Sequence, residues 1–165
     1  MVTMSVWHVE QNPKLIEELG RVTVRWAALD LLLVRIASIA LKNHPAAQSV
    51  IFGESNAGQA RFRAFERIIG ASFFDEDERS EIIAHMKELS RHYRARNALT
   101  HEPLEGTYSI EGKRFKFRLQ FVARGGGKKD AALEDIQKHV HSVDEHLEAL
   151  EAILDRLFER YEQVE

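Results

Sequence analysis

Within six residues, Arg96-Asn97-Ala98-Leu99-Thr100-His101, the chain gathers a permanent cation, a small amide and a titratable imidazole. Arginine presents a planar fork that matches phosphate oxygens and never loses its charge. Histidine, with an ordinary pKa of about 6.5, takes or gives a proton near neutrality. Together they suit proton transfer beside a phosphate, with Asn97 free to position either group. Pro103 follows two residues after His101, so a helix carrying the run should end there, where a partner or substrate can reach it.

The element carrying the run is predicted from periodicity. Asp75 and Glu78 have capping-box spacing, and Ile82, Met86, Leu89 and Tyr93 recur at helical intervals up to Arg96. Before it, Asn12-Pro13 starts a long helix whose seam is Leu15, Leu19, Val22, Trp26, Leu29, Leu33, Ile36 and Ala40, ending near Asn43-His44-Pro45. Ser55 or Asn56 caps a shorter helix with Phe62, Phe65 and Ile69 inward and Gly70 closing it. A last helix runs from about 131 with Ile136, Val140, Val143, Leu147, Leu150, Leu154, Leu157 and Tyr161. Ile153 and Phe158 widen its stripe, as a deep core or a homodimer would require.

Between the third and last helices the period changes to two. Phe115, Phe117, Leu119 and Phe121 alternate with Arg114, Lys116, Arg118 and Gln120 after the turn Glu111-Gly112-Lys113. This predicts a β-hairpin over about 106–124 with one apolar and one basic face. The expected fold is therefore mainly α: one domain over 1–165, an antiparallel bundle of four main helices with a small hairpin inserted before the last.

Net charge is -3, but it is unevenly spread. Residues 130–165 hold 3 Lys/Arg against 11 Asp/Glu, while 113–129 hold seven Lys/Arg and no acid. Such a local positive field attracts phosphates even on an acidic protein. With Arg91, Arg94 and Arg96 ending the third helix, Arg114, Lys116 and Arg118 would form a track for a phosphate backbone; a solvated hairpin face explains the same charges. The absence of cysteine excludes disulfides, thiol nucleophiles and thiolate metal sites. No apolar run spans a bilayer and no leader pattern opens the chain, so a cytoplasmic location with no membrane contact is expected.

A helical bundle whose third helix ends in R-N-x-x-x-H resembles the HEPN superfamily (higher eukaryotes and prokaryotes nucleotide-binding domains), whose motif is Arg, four to six residues, then His. Arg96, Asn97 and His101 match it residue by residue. Trp26-x-x-x-Asp30 is similar to an aromatic-acidic pattern of some members, in which Glu is commoner than Asp; the hairpin is not a general family feature. The resemblance implies a metal-independent endoribonuclease acting as a homodimer, with His101 as general acid/base, Arg96 as phosphate stabiliser and Asn97 as positioning residue. It also implies a possible toxin or defence role with a cognate antitoxin.

Helix geometry constrains that reading. Arg96 and His101, five residues apart, lie about 140° apart around a regular helix. Either the helix breaks before His101, or the site draws on two chains. The structural alternatives are a His101 that meets helix-end carbonyls and an Arg96 paired with Asp30 or Glu102. Arg79 with His85, and Arg94 with His101, also fit the bare Arg-to-His spacing. His139, His141 and His146 lack the H-E-x-x-H spacing of a zinc site, so no metal or cofactor is expected. Gly125-Gly126-Gly127-Lys128-Lys129 lacks the phosphate-loop pattern and reads as a flexible linker with a basic tail. A non-catalytic homodimeric interaction module, or nucleic-acid binding without cleavage, accounts for the same residues.

Overall fold

The computed structural model describes residues 2–4, 13–53, 58–101, 104–111, 114–122, 126–130 and 132–161; for 2–4, 101, 104–111, 114–119 and 128–130 the description is of the backbone alone. In chain order the elements are β1 (Val2–Met4), α1 (Pro13–Leu41), α2 (His44–Phe52), α3 (Gly58–Gly70), α4 (Glu76–His101), β2 (Leu104–Glu111), β3 (Arg114–Val122), β4 (Lys128–Asp130) and α5 (Leu133–Tyr161). The protein is mainly α-helical. No helix among the described residues is long and apolar enough to cross a membrane.

The described residues hold five helices, not the four expected, because Asn43-His44-Pro45 both ends one helix and starts another. Lys42 (φ 50°) takes a left-handed backbone after α1. Its N–H bonds Ile39 O at 3.1 Å and that of Asn43 bonds Ser38 O at 3.1 Å, a Schellman closure. The Asn43 side chain then accepts from Ala46 N–H at 2.9 Å, capping α2, and Pro45 sits in the first turn, where a missing N–H costs nothing. Only Ala47 and Ile51 are buried on α2, too short a period to announce a helix.

The hairpin is also larger than expected. β2 and β3 pair antiparallel from Leu104↔Phe121 to Glu111↔Arg114, but they form the centre of a four-stranded sheet of order β1-β2-β3-β4. β1 pairs with β2 through Val2↔Tyr108, and β4 with β3 through Val122↔Lys128. Lys128 and Lys129, expected in a flexible linker, are therefore strand residues. Gly126 (φ 80°), in a backbone region that favours glycine, accompanies the return of the chain onto β3. Three-residue edge strands gain their order from ladder hydrogen bonds and carry too few residues for an alternation signal.

The chain divides into two compact units, one of Met1–Val24 with Arg94–His141 and one of Arg25–Tyr93 with Ser142–Glu165. In the first, Leu15, Val22, Phe121, Ile136 and Val140 are buried, and Gln137 donates to Glu18 at 3.2 Å. The expected caps at Asn12, Ser55 and Asn56 lie outside the described residues.

The second unit holds most of the predicted seams. Leu29, Leu33, Ile36, Phe65, Ile69, Ile82, Met86, Leu89 and Leu150 are fully buried; Ile153 is buried with them, whereas Phe158 is exposed. Trp26 stacks on Phe62, and Tyr93 meets both rings edge-on. Glu78 accepts from Asp75 N–H at 2.9 Å, as the capping-box spacing implied. The contacts Ser142–His92, His146–His85, Arg156–Glu81 and Tyr161–Glu78 step in opposite senses along α5 and α4, so these helices run antiparallel.

Candidate functional site

The R-N-x-x-x-H run occupies the last turns of α4, within the first unit. The helix is unbroken through His101, which removes the expectation that it breaks before that residue. Its cause is local: from Arg94 to Thr100 every residue except Asn97 and Thr100 is a reasonable helix former, and the Thr100 hydroxyl donates back to Arg96 O at 2.9 Å. Arg96 and His101 of one chain are thus held on different sides of a regular helix.

Arg96 and Asn97 are half-buried. The Arg96 guanidinium donates to Asn97 Oδ1 at 3.1 Å, so the two residues form a local pair that fixes the amide and directs the cation. His101 is placed as the last residue of α4; its side chain is outside what the structure describes, as is Glu102. Asp30, the other acid considered for Arg96, is ion-paired with Arg61 in the second unit. Trp26, the aromatic member of the Trp26-x-x-x-Asp30 pattern, is a core ring beside Phe62 and Tyr93.

The basic residues are only partly brought together. Arg94 is exposed on α4 three residues after Arg91, close to the same face, while Arg96 is turned away from both by helix geometry. Arg114, Lys116 and Arg118 occupy alternate positions of β3, opposite Glu111, Ser109 and Thr107, and so share one face of the strand. Arg91 belongs to the second unit, where it bonds Glu88 at 2.5 Å. There it helps line a groove of about 410 Å³ with Arg79, Ser80, Ile83 and Lys87. Arg79, legible in the sequence only by its spacing to His85, and Lys87, not singled out there, recur with 83 and 91 every four residues, as one exposed face of α4 would. The Arg79 guanidinium donates to Ser72 O at 3.2 Å, while Lys87 is exposed at the groove.

A second cluster was not read from the sequence. His146, grouped there with His139 and His141, meets His85 of α4 with their Nδ1 atoms 3.0 Å apart, and its ring lies 6.4 Å from that of His92. His92 Nε2 lies 3.0 Å from Ser142 Oγ. Burial, followed by the His85 and His92 charges, holds the His146 imidazole below its ordinary value; Glu88 and Glu145 oppose this. The available signal was the seven-residue spacing of His85 and His92, which puts both beside the α4 seam. Among the described residues, no group of three or more His, Asp or Glu is placed to hold a metal ion.

No known protein-family model matches the chain, and no curated protein or solved structure matches it.

Proposed function

We propose that this chain is a HEPN-like, metal-independent endoribonuclease that acts in the cytoplasm as a homodimer. The observation that carries the reading is the unbroken α4 through R-N-x-x-x-H, with Arg96 tied to Asn97. On a continuous helix, Arg96 and His101 of one chain converge poorly. Two copies of the helix end, one per protomer, bring the Arg of one chain to the His of the other.

In the proposed reaction the RNA 2′-oxygen bonds to the adjacent phosphorus and the P–O5′ bond breaks, leaving a 2′,3′-cyclic phosphate and a 5′-hydroxyl. His101 takes the 2′-hydroxyl proton or gives one to the departing O5′. Arg96 stabilises the charge on the phosphorane oxygens, held by its bond to Asn97. The exposed cation Arg94, with Arg114, Lys116 and Arg118 along β3 in the same unit, supplies the non-specific attraction for the phosphate backbone. A toxin or defence role, restrained by a cognate antitoxin, belongs to the same proposal.

The test is cleavage of a labelled mixed-sequence RNA in EDTA by the wild type, Arg96→Ala and His101→Ala. The wild type is expected to leave cyclic-phosphate ends, and His101→Ala to be slower by roughly 10²- to 10⁴-fold. Equal cutting by His101→Ala would sink the assignment. The half-buried, mutually bonded Arg96 and Asn97 also suit a non-catalytic dimeric interaction module. Dimerisation without cleavage, weakened by Asn97→Ala, would favour that module. Salt-dependent RNA affinity without product would favour binding alone.

A further inference from the structure

We propose that the His85–His146 contact is a proton-operated latch between α4 and α5, closed while the pair carries at most one positive charge and opened when both rings are charged. The geometry requires this behaviour. With the two Nδ1 atoms 3.0 Å apart, one must donate and the other accept. An imidazolium has N–H on both nitrogens and accepts at neither. One charged ring can still donate to its neutral neighbour, but two charged rings place donor against donor and like charge against like charge.

The surroundings set the window. His92 faces His146 from α4 and adds a third imidazole, itself 3.0 Å from Ser142 Oγ. Glu88 of α4 and Glu145 of α5 are the carboxylates whose charges reach His146 and favour its protonation. From α1, Arg25 is held by Asp144 at 2.6 Å, which ties up the carboxylate two residues before His146. Other α4–α5 ties, Arg156–Glu81 at 2.6 Å, Arg160–Glu78 at 3.0 Å and the Tyr161 hydroxyl donating to Glu78 at 2.9 Å, involve no imidazole and persist until carboxylates protonate. Mild acid therefore loosens the middle of the helix pair while its far end stays fastened.

The linkage has a definite sign. His146 is held below 6.5 in the folded chain, so the unfolded chain binds more protons as the pH falls through that value. The latch contributes fully above about pH 6.5 and is lost as the pH drops below it.

The experiment is an NMR titration of the histidine ring protons in the full chain, between about pH 5 and pH 8. The wild-type His146 midpoint is expected below 6.5. His85→Gln should move it up, by removing a cation, and Glu88→Gln should move it down, by removing an anion. Opposite displacements by two neighbours are not produced by a merely structural contact. If His85→Gln fails to fold, Glu88→Gln alone decides the direction. In thermal unfolding the wild type should lose more Tm between about pH 7.5 and pH 5.5 than His146→Gln does. A wild-type midpoint at or above 6.5, a midpoint that Glu88→Gln leaves unmoved, or equal losses of Tm would overturn the latch.

Discussion

From Ile82 to Leu89, α4 buries Ile82, Met86 and Leu89 completely; from Arg94 to Thr100 the same helix buries nothing completely. The first stretch belongs to the second unit and the other to the first. The difference separates two uses of one helix. Where side chains are fully buried, their identity is a matter of volume and apolar area. Where they are half-buried and bonded to each other, as Arg96 is to Asn97, their chemistry remains accessible. Cores resist substitution through packing, whereas a half-buried helix end tolerates it structurally.

The sharpest way to break this comparison is a matched pair of truncations on α4. Leu89→Ala should cost about 2–5 kcal/mol in denaturant unfolding, because it empties a fully buried site. Leu99→Ala, half-buried, should cost about 1 kcal/mol or less. Equal losses would mean that the end of α4 is as much core as its middle.

Glycines sharpen the contrast further. A Cβ at Gly58 would lie 2.1 Å from the Tyr93 hydroxyl oxygen and 2.2 Å from ring carbon Cζ, and that hydroxyl accepts from Gly58 N–H at 3.1 Å. Tyr93 packs edge-on against both Trp26 and Phe62, so it yields at a cost. Gly58→Ala should therefore destabilise by about 1–3 kcal/mol in the same measurement. Gly20, inside α1 in the first unit, has nothing within 4 Å of such a Cβ. Gly20→Ala should stabilise by about 0.5–1 kcal/mol, the smallest of these effects and opposite in sign. A destabilised Gly20→Ala would show that this face of α1 is occupied in solution.

Much of the fold was legible because burial imposes a period. The α1 and α5 seams read at alternating four- and three-residue steps are buried, with only Leu19 and Tyr161 half-exposed. The Asp75–Glu78 cap and the period-two strands follow from rules that act over a few residues. What escaped were short elements: α2, whose nine residues bury two side chains, and β1 and β4, ordered by pairing with distant residues. At the candidate site, the residue types and their 140° separation came from spacing alone. The unbroken helix, the Arg96–Asn97 bond and the pairing of Asp30 with Arg61 did not.

The amino-acid order by itself determined helical content, the buried faces and the place of the R-N-x-x-x-H run, because propensity, patterning and capping are local. Only the tertiary structure decided that His146 meets His85 rather than its own neighbours His139 and His141, and that Gly58 must lack a side chain beneath Tyr93. Each of those contacts joins residues more than thirty positions apart, and such contacts depend on how the helices pack, which no local period encodes.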